Sequence, residues 1–190
     1  MNETGIIILA HQLVFQGMFI AKNIFLRQKL GQPIRGTNRE VNAAIIFFAI
    51  FITTALILSF KGFDILLIPI LPREFALAVG LLLLGINLVV SGAALLHLKD
   101  SWRVGVIEGQ QTELISTGIY RYTRNPFFVA YLLMFAAYSI LLRSGLLLGL
   151  SVFCFWLVHR MVRKEEAYLL SVHGETYTRY KQKVARYLIM

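Results

Sequence analysis

The chain has 190 residues, of which 57% are hydrophobic and 15% charged, with a mean hydropathy of +0.68. Soluble domains carry about a quarter charged residues, so the composition excludes an ordinary soluble domain and points into a bilayer. Nineteen Lys and Arg against ten Asp and Glu would suggest nucleic acid in a soluble protein, but no nucleic-acid motif accompanies them here, and their placement ties them to membrane topology.

Five apolar spans follow one another and predict an all-α, polytopic membrane protein whose last two helices form a hairpin. The first, residues 5 to about 25, is interrupted by His11, Gln12, Gln16 and Asn23. Its leading MNETG lacks the basic region of a signal peptide, so this span is expected to be retained. The second (about 43–60) and third (75–96) are near the ~20 residues a spanning helix needs. Between them FDILLIPILP carries two prolines, which resist helix interiors, and reads as a loop outside or at the edge of the membrane. The fourth (126–142) and fifth (146–162) are separated only by Arg-Ser-Gly, too polar for mid-membrane and too short for anything but a tight turn. The lone cysteine, Cys154, excludes an internal disulfide and sits in an apolar run as a small hydrophobe. His11, His97, His159 and His173 have no metal-ligand spacing, and no metal site is expected.

Lys and Arg sort by loop. Five fall between spans one and two, two between two and three, four between three and four, one (Arg143) in the hairpin turn, and seven from Arg160 onward. Alternate loops therefore carry sixteen on one side and three on the other. By the positive-inside rule this places the N-terminus outside, the C-terminus in the cytoplasm, and the basic loops against anionic lipid.

The hairpin adds a geometric expectation. Taking Ser144 as its centre, Asn125 and Arg163 are equidistant from the turn and fall at the same depth. Arg124, Asn125, Arg160, Arg163, Lys164, Glu165 and Glu166 are thereby predicted to share one neighbourhood at the membrane surface, with Tyr120 and Tyr122 close by. Asn125-Pro126 also reads as a helix start, with Asn as N-cap and Pro in the first turn. A mixed-charge pocket of this kind suits a zwitterionic or cationic cofactor together with a lipid-borne substrate.

Residues 112–128, TELISTGIYRYTRNPFF, then the hairpin, then RKEEAYLLSVHGETYTRYKQKVARYL, resemble the isoprenylcysteine carboxyl methyltransferase family, which belongs with membrane phospholipid methyltransferases in a broader group. The resemblance covers about residues 100–190. It implies a division into N-terminal transmembrane helices 1–3 (1–98) and a methyltransferase-like region (99–190). It also implies S-adenosylmethionine as methyl donor, bound on the cytoplasmic face. Carried over by position, Thr112, Glu113, Leu114 and Ile115 line the cofactor, followed by Tyr120. Asn125, Pro126, Phe127 and Phe128 occupy the family's His-Pro-x-Tyr position, and Glu165 matches its cofactor-binding glutamate. Aromatic faces such as Tyr120 and Tyr122 suit a sulfonium cation.

Three departures stand out. Asn125 replaces the histidine, Phe128 replaces the final tyrosine of that motif, and Met161 stands where a substrate-contacting arginine is expected, so Arg160 and Arg163 become the residues expected to orient the acceptor. A prenylcysteine carboxylate is the family's best-known acceptor; another lipophilic acceptor or a phospholipid amine stays open. The lipid bilayer and a lipophilic or prenylated acceptor are the implied partners, with no obligate protein partner evident. A sterol-type membrane reductase using NADPH and a non-catalytic scaffold are the rival readings.

Overall fold

Long apolar runs in lipid must satisfy every backbone polar group internally, which leaves the helix as the economical solution. The computed structural model describes residues 3–36, 39–62, 66–104, 107 and 113–188. Five helices carry the fold: α1 (Glu3–Leu30), α2 (Arg39–Lys61), α3 (Arg73–His97), α4 (Pro126–Leu141) and α5 (Gly145–Lys183), with short 3-10 turns at Lys99–Ser101 and Gly118–Arg121. Among the described residues there is no β-strand, only two isolated bridges. Four of the helices are long and apolar enough to cross a membrane, and α4 is apolar but shorter. The expected all-helical, polytopic membrane protein is therefore the observed one, with four helices long enough to span and α4 a shorter apolar fifth.

The 16 residues of α4 make about 24 Å of helix, less than the ~30 Å hydrocarbon core. That is tolerable because α4 is sheathed in protein. Phe127, Tyr131, Phe135 and Tyr138 meet Phe15 and Phe19 of α1 and Phe48 and Phe51 of α2 in edge, tilted and stacked ring contacts. On its other side α3 packs through a stripe of small or polar residues, Ala76, Gly80, Asn87, Ser91 and Ala94, all buried. Small side chains let backbones approach in lipid.

The loops test the grouping by sides. Ile34 and Gly36, before α2, exchange backbone hydrogen bonds with Val104, after α3, at 2.8 and 2.9 Å. Leu66 and Ile68, before α3, do the same with Gly145 and Arg143 of the hairpin turn at 2.8 and 2.7 Å. The two basic-rich loops are thus tied together at one end of the bundle, and the two basic-poor ones at the other. The described part of the two-proline segment is turn and bridge rather than helix, as expected. Ser144 caps α5, accepting a hydrogen bond from the Leu147 amide at 3.4 Å.

α5 runs on well past the apolar stretch that ends at Val162. Beyond that point it is charged and lies outside the spanning part, and it bends at Gly174, whose φ of 51° and ψ of −124° lie outside helical space. A residue without a Cβ takes up that left-handed φ at little cost. After Lys183 the chain turns back, and the Arg124 amide donates to Ala185 O at 2.9 Å.

The close approach of α3 and α4 gives a direct test. A Cβ added at Gly80 would overlap Leu141 Cγ, whereas one at Gly85 meets nothing within 4 Å. Both Ala substitutions gain the same helix propensity, so their difference isolates the clash. Gly80→Ala should be less stable than Gly85→Ala by about 1–3 kcal/mol, read as a lower thermal midpoint of the detergent-solubilised protein.

Candidate active site

The site begins with a carboxylate held from several directions. Glu166, buried in α5, accepts from Arg124 Nε and Nη2 on Oε1 at 3.1 and 3.0 Å, and from Arg186 Nε and Nη2 on Oε2 at 3.0 and 2.9 Å. Asn125 Nδ2 donates to the same Oε1 at 3.1 Å and to Arg186 O at 3.1 Å. Arg124 Nη1 also reaches the carbonyls of Lys181 and Val184. Fork-to-carboxylate pairs of this type are the strong, oriented ones. Burial alone would push the Glu166 carboxyl up, but the hydrogen bond from Arg186 and the charge of Arg124 outweigh it and hold the group below the usual range.

This knot changes one expectation. Asn125 occupies the N-cap position of α4 but makes no side-chain cap hydrogen bond, because its amide is committed to Glu166 and the tail. Pro126 does sit in the first turn, where its missing N–H costs nothing.

Next to the knot lies a cavity of about 950 Å³. One end is polar, walled by the loop before α4, by α5 and by the segment after Gly174. The other is an apolar arm between α1, α2 and α4. Of the residues expected at the site, Glu113, Leu114, Ile115, Tyr120, Asn125, Pro126, Phe127, Phe128 and Glu165 all line this one cavity. Thr112 lies outside the described residues. Glu165 faces the cavity while its neighbour is tied down; burial, with the Glu166 charge beside it, pushes its carboxyl up to about 7. Tyr180 Oη donates to Tyr120 O at 2.6 Å, bracing the loop against α5. Tyr177 lines the cavity, is 1% exposed, and its hydroxyl has no hydrogen-bond partner of normal geometry.

Three expected residues are elsewhere. Arg160 and Arg163 are exposed and do not line the cavity, and Arg160 lies over the Trp156 ring at 5.0 Å. Helical geometry is the reason. Met161, Lys164, Glu165 and Tyr168 are spaced i, i+3, i+4, i+7, one stripe of α5, and all four line the cavity. Arg160 and Arg163 fall on another face. Tyr122 is likewise 64% exposed, capped by Arg121 at 4.8 Å from its ring centroid, and is not part of the wall.

The hairpin count is off by about one turn, since Asn125 meets Glu166 rather than Arg163. The missed basic residues are Arg27 in the last turn of α1 and, from the loops, Arg35 and Arg103, all of which line the cavity. Nothing in the local spacing announces the loop pair, because they are brought in by the bridge that joins the two loops. No cluster of metal-ligating side chains is found among the described residues.

Residues 74–176, just over half of the chain, match a family model described as phospholipid methyltransferase. That stretch takes in α3, the loop, the hairpin and α5 as far as its bend. No curated protein matches the chain.

The two adjacent glutamates should separate cleanly in stability. Glu166→Ala strands two arginines in a buried setting and should cost about 3–5 kcal/mol. Glu165→Ala removes a carboxyl with no such partners and should leave the unfolding midpoint almost unchanged. Denaturation of both variants in detergent, monitored by circular dichroism, checks the pair; similar losses would undo the division of roles.

Proposed function

The chain belongs to the phospholipid methyltransferase family, and on that premise we propose that it transfers a methyl group from S-adenosylmethionine to a lipophilic acceptor at the cytoplasmic surface of the membrane. The observation that carries this is a single cavity with a carboxylate-and-aromatic end joined to an apolar arm among the helices.

The donor set fits such a cofactor. Glu113 and Glu165 offer carboxylates to its amino and hydroxyl groups, Tyr177 brings a buried hydroxyl with no hydrogen bond of normal geometry, and Tyr120, Phe127 and Tyr168 supply ring faces that attract a cation. When bound, S-adenosylmethionine supplies a methyl group already activated on a sulfonium sulfur. The protein's work is then to position two partners and exclude water. Leu114, Ile115 and Phe128 wall the site with apolar surface. Arg35 and Arg103 stand at the polar end as the groups that orient an anionic acceptor, taking the role first expected of Arg160 and Arg163.

Carboxyl methylation is the reading we favour. An acceptor carboxylate arrives deprotonated and needs no base, and Asn125, where the resemblance has a histidine, holds no titratable ring and has its amide engaged by Glu166. A phospholipid amine is the second reading, supported by the Glu165 carboxyl, whose raised proton affinity would let it accept a proton from an ammonium group. Placing the basic-rich loops and the polar end in the cytoplasm follows the positive-inside rule.

Titration of the purified protein with S-adenosylhomocysteine and, separately, with NADPH tests the proposal. Binding of the first alone is expected; binding of NADPH alone would replace the reading with a reductase, and binding of neither with a scaffold. Glu165→Ala should weaken S-adenosylhomocysteine by tenfold or more, about the 1.5–3 kcal/mol of a hydrogen bond to a charged group. Arg160→Ala and Arg163→Ala should leave it unchanged. The ionised carboxylate is the binding form, so wild-type affinity should rise as pH climbs through about 7 and flatten above it, a slope absent from Glu165→Gln.

A further inference from the structure

The polar residues that interrupt α1 are not accounted for by the donor site. His11 and Gln12 are buried, and with Asn87 of α3 and Tyr138 of α4 they form a closed network. Its polarity can be read link by link. Asn87 Nδ2 donates to Ala130 O at 2.6 Å, so Asn87 Oδ1 must be the acceptor for His11 Nε2 at 2.9 Å. A neutral His11 then has only Nδ1 left to accept, and Tyr138 Oη donates to it at 2.8 Å. Tyr138 Oη in turn accepts from Gln12 Nε2 at 2.8 Å, and the same amide nitrogen also reaches Met134 Sδ at 3.1 Å. Both Gln12 N–H groups are thereby committed, so its oxygen faces the next turn and accepts from Gln16 Nε2 at 3.3 Å. The His11 tautomer and the amide orientations follow from these bonds, with Ile8 O at 3.4 Å a longer second acceptor for the single Tyr138 proton.

The chain of bonds ends at the cavity. Gln16 lines it, halfway along α1, and with its nitrogen bonded to Gln12 it keeps its carbonyl oxygen as an acceptor. Two turns on, Asn23 also lines the cavity. Its oxygen accepts from Trp102 Nε1 at 2.8 Å, which leaves its amide N–H groups as donors. Gln16 and Asn23, at i and i+7, sit on one stripe of α1 about 10 Å apart along the axis. Polar groups at membrane depth are costly and, where they face a cavity rather than lipid, mark a binding function. An arm meant only for a hydrocarbon tail gains nothing from two oriented amides, one presenting an acceptor and one presenting donors.

We propose that Gln16, held by the His11–Tyr138–Gln12 network, and Asn23 form a recognition site for oxygen within the apolar body of the acceptor, so that the preferred acceptor is an oxygenated lipid bearing a hydroxyl or carbonyl along its chain and not a plain hydrocarbon chain. The inference rests on the apolar arm being the place of the methyl acceptor, and it narrows that acceptor's class. Gln16 is a specificity-determining residue here; the network behind it is a positioning device. α1 lies outside the matched residues 74–176.

The test uses the fluorescence of Trp102, which borders the same arm. The chain has two tryptophans, and Trp156→Phe in the full-length protein leaves Trp102 as the single reporter. Two probes that differ only in a hydroxyl, a bromine-tipped undecanol and undecyl bromide, are titrated into the protein in bicelles, and bromine quenching of Trp102 is measured. The alcohol should quench at about five- to tenfold lower mole fraction, the worth of one net hydrogen bond. Gln16→Met, similar in length but without the amide, should bring that ratio close to one. Gln16→Asn, which withdraws the amide by a methylene, should also lower it and serves if the Met variant does not fold. Equal quenching by both probes in the parent, or an unchanged ratio in a folded Gln16 variant, overturns the inference. S-adenosylhomocysteine binding is read on the same samples. Binding without alcohol preference removes this inference alone, whereas alcohol preference without binding removes the methyl-donor reading and leaves the oxygen-recognition site standing.

Discussion

The arrangement of the polar end depends on one carboxylate. Glu166 accepts both arginine forks and the Asn125 amide, and through them it ties three stretches far apart in sequence: the loop into α4, the helix α5 and the returning tail. Desolvating a carboxylate and two guanidinium groups is costly, and the pairing offsets that cost only because each guanidinium brings two N–H groups to one carboxylate oxygen and Asn125 adds a further donor. What the knot provides is placement more than stability. With Glu166 tied to its arginines, the adjacent carboxyl is left facing the cavity beside that charge, and among the described residues no cation is bonded to it. Burial, with the Glu166 charge beside it, raises the proton affinity of Glu165, and the asymmetry leaves one glutamate with the arginines and the other available to a ligand.

The same logic explains why the arginines nearest in sequence are not those of the site. On a helix, position around the axis matters as much as position along it. Arg160 and Arg163 are within a turn of Glu165 yet point away, Arg160 resting on Trp156. Arg35 and Arg103, remote in the chain, reach the cavity because two loops are joined by a two-bond backbone bridge. Charge near a site in sequence is a weak guide to charge in a site, and the helical period repairs half of that weakness.

This sets how much could be read from residues alone. The spans, their alternation and the hairpin were legible because hydrophobic run length and a three-residue polar break act locally. The loop residues 113–115, Tyr120, the Asn-Pro-Phe-Phe run and Glu165 were legible as a set through a motif that spans the hairpin. The depth of Asn125 against α5 was misplaced by about one turn, since counting from Ser144 assumes two straight helices of equal rise and tilt and ignores how far the Asn125 and Glu166 side chains reach. The contributions of Gln16, Asn23 and Arg35 were not legible. They depend on which distant helix packs against which, and the polar interruptions of span one gave only the hint that something had to satisfy them.

The shortness of α4 connects these observations. Its C-terminal turn is bridged to the loop at one end of the bundle, and its ~24 Å reach about 6 Å short of a ~30 Å hydrocarbon core. The shortfall falls at the Asn125 end, where α5 also leaves its apolar stretch, and there the knot and the polar end of the cavity adjoin the apolar arm. The returning tail, whose carbonyls at Val184 and Arg186 bond Arg124 and Asn125, closes the knot from the outside. In the drier surroundings this creates, a carboxylate and an arginine act on a ligand with far less screening than in water. A lipid-borne acceptor can then meet a polar partner without its apolar body leaving the bilayer.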